Sequence, residues 1–78
     1  MILPYQPSET DVKKLENNFK YHSPKDGQSE RYEAIRAKAK ELAELMVNAC
    51  PPSRELSVAL TELETSVMWA NAAIARNE

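Results

Sequence analysis

Apolar residues recur in steps of three and four over two long stretches of this chain, which is a helical rhythm. From Ser29 to Ala49, the positions Tyr32, Ile35, Ala39, Leu42, Met46 and Ala49 form one seam among Ala, Glu, Lys and Leu, all good helix formers. Pro51 and Pro52 end that helix, because neither can donate the next backbone hydrogen bond. Ser53 is a suitable N-cap for a second long helix over 53–76, whose seam is Leu56, Leu60, Leu63, Val67, Ala70 and Ile74. Two matched seams joined by the turn at 50–53 predict an antiparallel hairpin. Cys50, beside the two prolines, reads as a buried turn residue.

Ahead of the hairpin the pattern is sparser. Residues 1–7 read as extended, and a short helix is predicted over 8–19, with Val12, Leu15 and Phe19 on one face. Ser8 as N-cap and Asp11 three residues on resemble a capping box. A helix of about ten residues is too short to stand alone and needs a surface to lie against. Residues 20–28 hold Pro24 and the only glycine, Gly27, after Asp26, and read as a loop. The expected fold class is therefore all-α, a single helical domain over 1–78 in which a short helix precedes an antiparallel hairpin.

The last helix has more apolar surface than one seam uses: Val58, Trp69, Ala72 and Ala73 fall largely outside it, and Met68 sits at its margin. Either a second subunit covers this stripe or the short first helix folds back over it. A chain of 78 residues is marginal alone and needs disulfides, a metal or oligomerisation to reinforce it. Cys50 is the only cysteine and His22 the only histidine, so no intrachain disulfide and no zinc-ligand spacing exist. Assembly as a homo-oligomer is the expectation that remains, with no metal and no cofactor.

A lone free cysteine fits a reducing compartment. The amino terminus lacks a basic region followed by an apolar run, and no stretch approaches a membrane span, so a cytoplasmic protein without a membrane partner is expected. Residues 1–40 carry eight Lys/Arg against six Asp/Glu, and residues 41–78 carry two against six. Duplex DNA binding calls for a strongly basic face, which this acidic carboxyl half argues against. A compact basic pocket for a small anion remains compatible with the net charge of −2.

Enzymatic constellations are thin. One glycine cannot make a phosphate loop, HExxH and CxxC are absent, and Cys50 has no base nearby in sequence. More informative is an aromatic and cationic cluster. Phe19, Tyr21, His22 and Pro24 interleave with Lys20 and Lys25, and Arg31, Arg36, Lys38 and Lys40 follow on the next helix. Bases stack on aromatic faces and cations engage phosphates. Arg36 and Lys40 are i,i+4 neighbours that could converge on one anion. The same residues also fit a plainer arrangement, with Phe19 and Tyr32 in the core and the cations solvated.

The stretch Phe19-Lys-Tyr-His-Ser-Pro-Lys, followed by Gly27-Gln-Ser-Glu-Arg-Tyr-Glu-Ala-Ile-Arg36, resembles the start of the phage anti-CBASS cyclic-nucleotide sponges. Cys50-Pro-Pro-Ser-Arg-Glu-Leu-Ser, Ala59-Leu-Thr-Glu-Leu-Glu and Val67-Met-Trp-Ala-Asn-Ala-Ala-Ile-Ala-Arg76 extend the similarity over roughly residues 19–77. Residues 1–18 lie outside it. The resemblance implies a small helical homohexamer acting in the host bacterial cytoplasm during phage infection. Such a protein sequesters cyclic dinucleotides, such as cGAMP, and cyclic trinucleotides without cleaving them, in distinct pockets between subunits. It places dinucleotide recognition on Tyr21 and on a helix cation, Arg36 or the neighbouring Lys38, and trinucleotide recognition on Arg76. His22 and Arg31 complete the set of candidate ligand residues. Where the family uses lysine, arginine would keep the charge and change the geometry. The competing expectation is a helical interaction module that binds a host protein through the spare apolar stripe.

Overall fold

A computed structural model describes residues 1–78. Three helices follow one another, α1 (Glu9–Asn18), α2 (Gln28–Ala49) and α3 (Arg54–Asn77), with no strand. The all-α order anticipated from the sequence, a short helix before a hairpin, is the one the chain adopts. Local chemistry sets each boundary. At the start of α1, the Asp11 backbone N–H donates to Ser8 Oγ at 3.1 Å and the Ser8 N–H donates to Asp11 Oδ2 at 3.1 Å. These reciprocal bonds make a capping box and hold the Asp11 carboxyl below its ordinary pKa, the Ser8 backbone bond being the main cause.

The loop turns into α2 at Gly27, whose φ of 80° lies in the left-handed region that favours glycine. Gln28 is already helical, one residue before the start expected from the sequence. At the far end the Cys50 N–H still reaches Met46 O at 3.0 Å, and the two prolines then stop the helix. Ser53 Oγ accepts from the Leu56 N–H at 3.1 Å and donates to Pro51 O at 3.0 Å, which caps α3 and fixes the turn together. Cys50 is exposed rather than buried, because the turn lies at the tip of the hairpin with no further element above it.

The two seams face one another with one adjustment. Tyr32, Ile35, Ala39 and Met46 are half-buried, as are all six expected seam residues of α3. On α2, however, Ala43 takes the inner position and Leu42 and Ala49 are exposed. A straight helix drifts by about 20° per heptad against a 3.5-residue repeat, which carries the later seam positions off the contact.

No apolar side chain is fully buried. The chain exposes 6789 Å², against about 4,800 Å² for a compact monomer of this length. Its radius of gyration of 17.6 Å likewise exceeds the roughly 11.5 Å of a compact domain. α1 does not cover the spare stripe: Trp69 is 63% exposed and Met68 66%. Nor does α1 bury its own face, since Val12, Leu15 and Phe19 are exposed, so Phe19 is not a core residue. The helix is tethered instead, through Asn17 Nδ2 donating to Arg76 O at 3.1 Å.

Gly27→Ala tests the turn. An added Cβ meets nothing within 4 Å, so the cost is conformational alone. The variant should lose about 1 kcal/mol of unfolding free energy at equal protein concentration in urea, with helicity retained. Unchanged stability would contradict the left-handed geometry.

Candidate functional site

The end of the molecule where the α2 N-terminus meets the α3 C-terminus gathers its long-range polar contacts. Gln28, 3% exposed, is the only buried residue of the chain. Its Oε1 accepts from the Lys25 N–H at 2.9 Å, and its Nε2 donates to Glu78 Oε1 at 3.2 Å. Arg31 holds the same carboxylate in a fork, Nη1 to Oε2 at 2.8 Å and Nη2 to Oε1 at 2.5 Å. Lys25 Nζ donates to Glu78 O. At the other end of the loop, His22 Nε2 lies 2.7 Å from Asn17 O, and Asn17 is itself bonded to Arg76 O. Gln28, Glu78 and Asn17 were not singled out from the sequence, because nothing local marks a contact between residues some fifty apart.

The Arg31 guanidinium, with help from Gln28, lowers the Glu78 carboxyl to about 2. Both side chains are about half exposed, so the pair contributes modestly to stability. Its worth lies in direction, since a bidentate fork fixes where the end of α3 sits relative to α2.

The candidate ligand residues fall into three groups. Tyr21 projects from the tethered loop with 82% of its surface exposed and makes no hydrogen bond, while His22 beside it is half-buried. Arg31 is committed to Glu78, Lys38 pairs with Glu41 at 3.5 Å, and Lys40 pairs with Glu44 at 3.9 Å. Lys40 also lines a separate recess with Ala43, Val47, Leu60 and Glu64. Arg36 is the α2 cation with no carboxylate partner. It lines an open recess of about 250 Å³ with Tyr32, Asn71, Ala72 and Ala75. The Asn71 Oδ1 there is buried without a hydrogen-bond partner.

Arg76 lies in a second recess, of about 390 Å³, with Thr65, Met68, Trp69 and Ala72. Its guanidinium sits 5.7 Å from the Trp69 ring centroid, within cation–π range. Ala72 of α3 lines both recesses, so the recess of Arg36 on α2 and that of Arg76 on α3 share one wall. Each recess holds a cation and an aromatic ring, the chemistry that suits a phosphorylated base. Tyr21 lines neither recess.

A family model described as the Acb2/Tad1 hairpin domain matches residues 11–75, from inside α1 through the last turns of α3. The chain belongs to the Acb2/Tad1 hairpin-domain family. These are the anti-CBASS cyclic-oligonucleotide sponges. The match covers the loop with Tyr21 and His22, the α2 cations and both recess walls up to Ala75, and it also takes in much of α1. A search of the curated proteins and a search of the solved structures gave no match. No helix of this chain is long and apolar enough to cross a membrane. No group of three His, Cys, Asp or Glu side chains is arranged to hold a metal ion.

A carboxyl whose folded pKa lies below its unfolded value favours the folded arrangement above the ordinary carboxylate range. That contribution is lost as pH falls from there through about 2. The Glu78 side-chain carbon resonance should therefore titrate with a midpoint of about 2 in the wild-type chain. In Arg31→Ala the midpoint should rise toward an ordinary carboxylate value. A wild-type midpoint already in that ordinary range would contradict the fork.

Proposed function

We propose that this chain sequesters cyclic di- and trinucleotide second messengers, holding them intact in pockets completed by a second copy of itself and so blocking CBASS signalling in the infected cell. The observation that supports this reading is that Tyr21 is an exposed aromatic loop residue that does not line the recess of the unpaired Arg36, so that each offers half of a nucleotide site. Tyr21 of one copy stacks on a base of a cyclic dinucleotide such as cGAMP, and Arg36 of a neighbour holds a phosphate. Arg36 is favoured over Lys38, whose ammonium has Glu41 as a partner. His22 fixes the loop beside Tyr21, and Arg76, stacked on Trp69, serves the trinucleotide pocket.

The lack of burial supports self-association. The excess surface is about 2,000 Å² over a compact monomer, the scale of a subunit interface. The exposed Met68 and Trp69 and the uncovered face of α1 are its apolar part. The number six comes from the family resemblance. The same stripe would serve an interaction module for a host protein, but a stripe covered by a second copy is not free for one.

Sedimentation should show a hexamer at micromolar concentration. Trp69→Glu should weaken it by setting an unpaired charge against the contact. A stable wild-type monomer would contradict the assembly.

Calorimetric titration of nucleotide-free protein should show binding of cyclic di- and trinucleotides but not of duplex DNA, with each ligand recovered unchanged after heating the complex. Tyr21→Ala should weaken dinucleotide binding roughly five- to 150-fold, the cost of one stacked base. Arg36→Ala should cost a comparable amount. Arg76→Ala should spare dinucleotides and impair trinucleotides. Linearised product that grows with time would contradict sequestration, and unchanged dinucleotide affinity in both Tyr21→Ala and Arg36→Ala would contradict the site.

A further inference from the structure

We propose that Gln28, Arg31 and Glu78 are positioning residues for Tyr21: they clasp the loop 19–27 to the last turn of α3 and so set the base-stacking ring before ligand arrives. The inference rests on the reading of Tyr21 as the stacking residue given above.

Tyr21 has no contact of its own to hold it. Its ring is exposed and makes no hydrogen bond, and it lies in a segment outside any helix. Its place is set by the backbone on either side. On one side, Asn17 is bonded to Arg76 O and accepts the contact from His22. On the other, Lys25 is held through its backbone N–H by Gln28 and through its ammonium by Glu78 O. These ties end on two residues of α3, Arg76 and Glu78.

Gln28 joins the loop to that post. A primary amide is costly to bury unless both ends are satisfied, and here the carbonyl takes the loop N–H while the amino group reaches the Glu78 carboxylate. Removing either partner orphans the other in the one buried position of the chain. Arg31 supplies the remaining force by gripping both oxygens of Glu78. Arg31 is thus spent on a carboxylate and stands behind the ligand site. In this proposal Arg31 acts through the loop rather than by direct ligand contact.

The opposite use of the same atoms makes the opposite prediction. If Glu78 only guarded Arg31 from an incoming phosphate, removing its carboxylate would free that cation and strengthen binding. If Glu78 positions the loop, removing its side chain cuts the ties to Gln28 and Arg31 and loosens the loop, which the ligand must then order on binding.

The experiment is a double-mutant cycle in the full chain, with cyclic GMP–AMP as the probe and affinity read by calorimetry. Glu78→Ala should weaken binding roughly five- to tenfold in the Tyr21 background, because the loop is no longer ordered in advance. In a Tyr21→Ala background the same change should cost less than about twofold, because the residue it positions is gone. Gln28→Ala should show the same dependence. Should it fold poorly by circular dichroism, Glu78→Ala at the exposed helix end still decides. Tighter binding by Glu78→Ala, or an equal loss in both backgrounds, would overturn the positioning role. Unchanged affinity for Glu78→Ala where Tyr21→Ala is weakened would overturn it alone. No binding by the wild-type chain, or unchanged affinity on Tyr21→Ala, would overturn the site reading and this inference with it.

Discussion

Two helices lying side by side cannot enclose a side chain between them, and this constraint governs the rest of the molecule. The seams of α2 and α3 reach half-burial and no further, and the one buried residue is a glutamine at the end of the hairpin. Apolar contact therefore joins the helices, while polar contact at one end sets how the loop and the chain ends meet. The apolar contact has little direction. The amide of Gln28 and the fork of Arg31 on Glu78 have a great deal. Geometry needed for recognition is concentrated where directional bonds are concentrated.

The same constraint leaves surface to be used. Trp69 and Met68 face outward because α3 carries two stripes and α2 can take only one. Arg36 and Arg76 stand in adjoining recesses that share Ala72, and neither has a carboxylate neighbour, whereas the nearby cations Arg31, Lys38 and Lys40 do. A small residue at the shared wall permits both recesses to remain open. Two ligand classes on one small chain become feasible when each needs only half a pocket from it. The Acb2/Tad1 family membership points to the ligand chemistry, and the unpaired arginines are the places proposed for it.

The hairpin was legible in the sequence because helical periodicity, two prolines and a serine cap are local signals, each enforced within a few residues. The capping box of α1 was legible for the same reason. Leu42 and Ala49 were misplaced by a seam extended too regularly, since a heptad reading ignores the drift of a straight helix. Cys50 was misjudged because its neighbours describe a turn but not what lies above it. Tyr21, Arg36 and Arg76 could be proposed from motif resemblance, yet the recesses around the two arginines could not. The clasp was invisible altogether: Gln28 and Glu78 are ordinary polar residues until the hairpin closes and brings together positions 50 apart.

The central claim is that Tyr21 and Arg36 meet only across a subunit boundary. It is tested most directly by mixing two defective proteins. Tyr21→Ala and Arg36→Ala chains, each unfolded, mixed and refolded together, would form assemblies in which some pockets take an intact tyrosine from one parent and an intact arginine from the other. Calorimetry with cyclic GMP–AMP should then detect a fraction of sites at wild-type affinity that neither parent shows alone. Mixed assemblies that form, as verified by mass spectrometry, yet recover no such sites would place both residues in one chain's pocket and contradict the account.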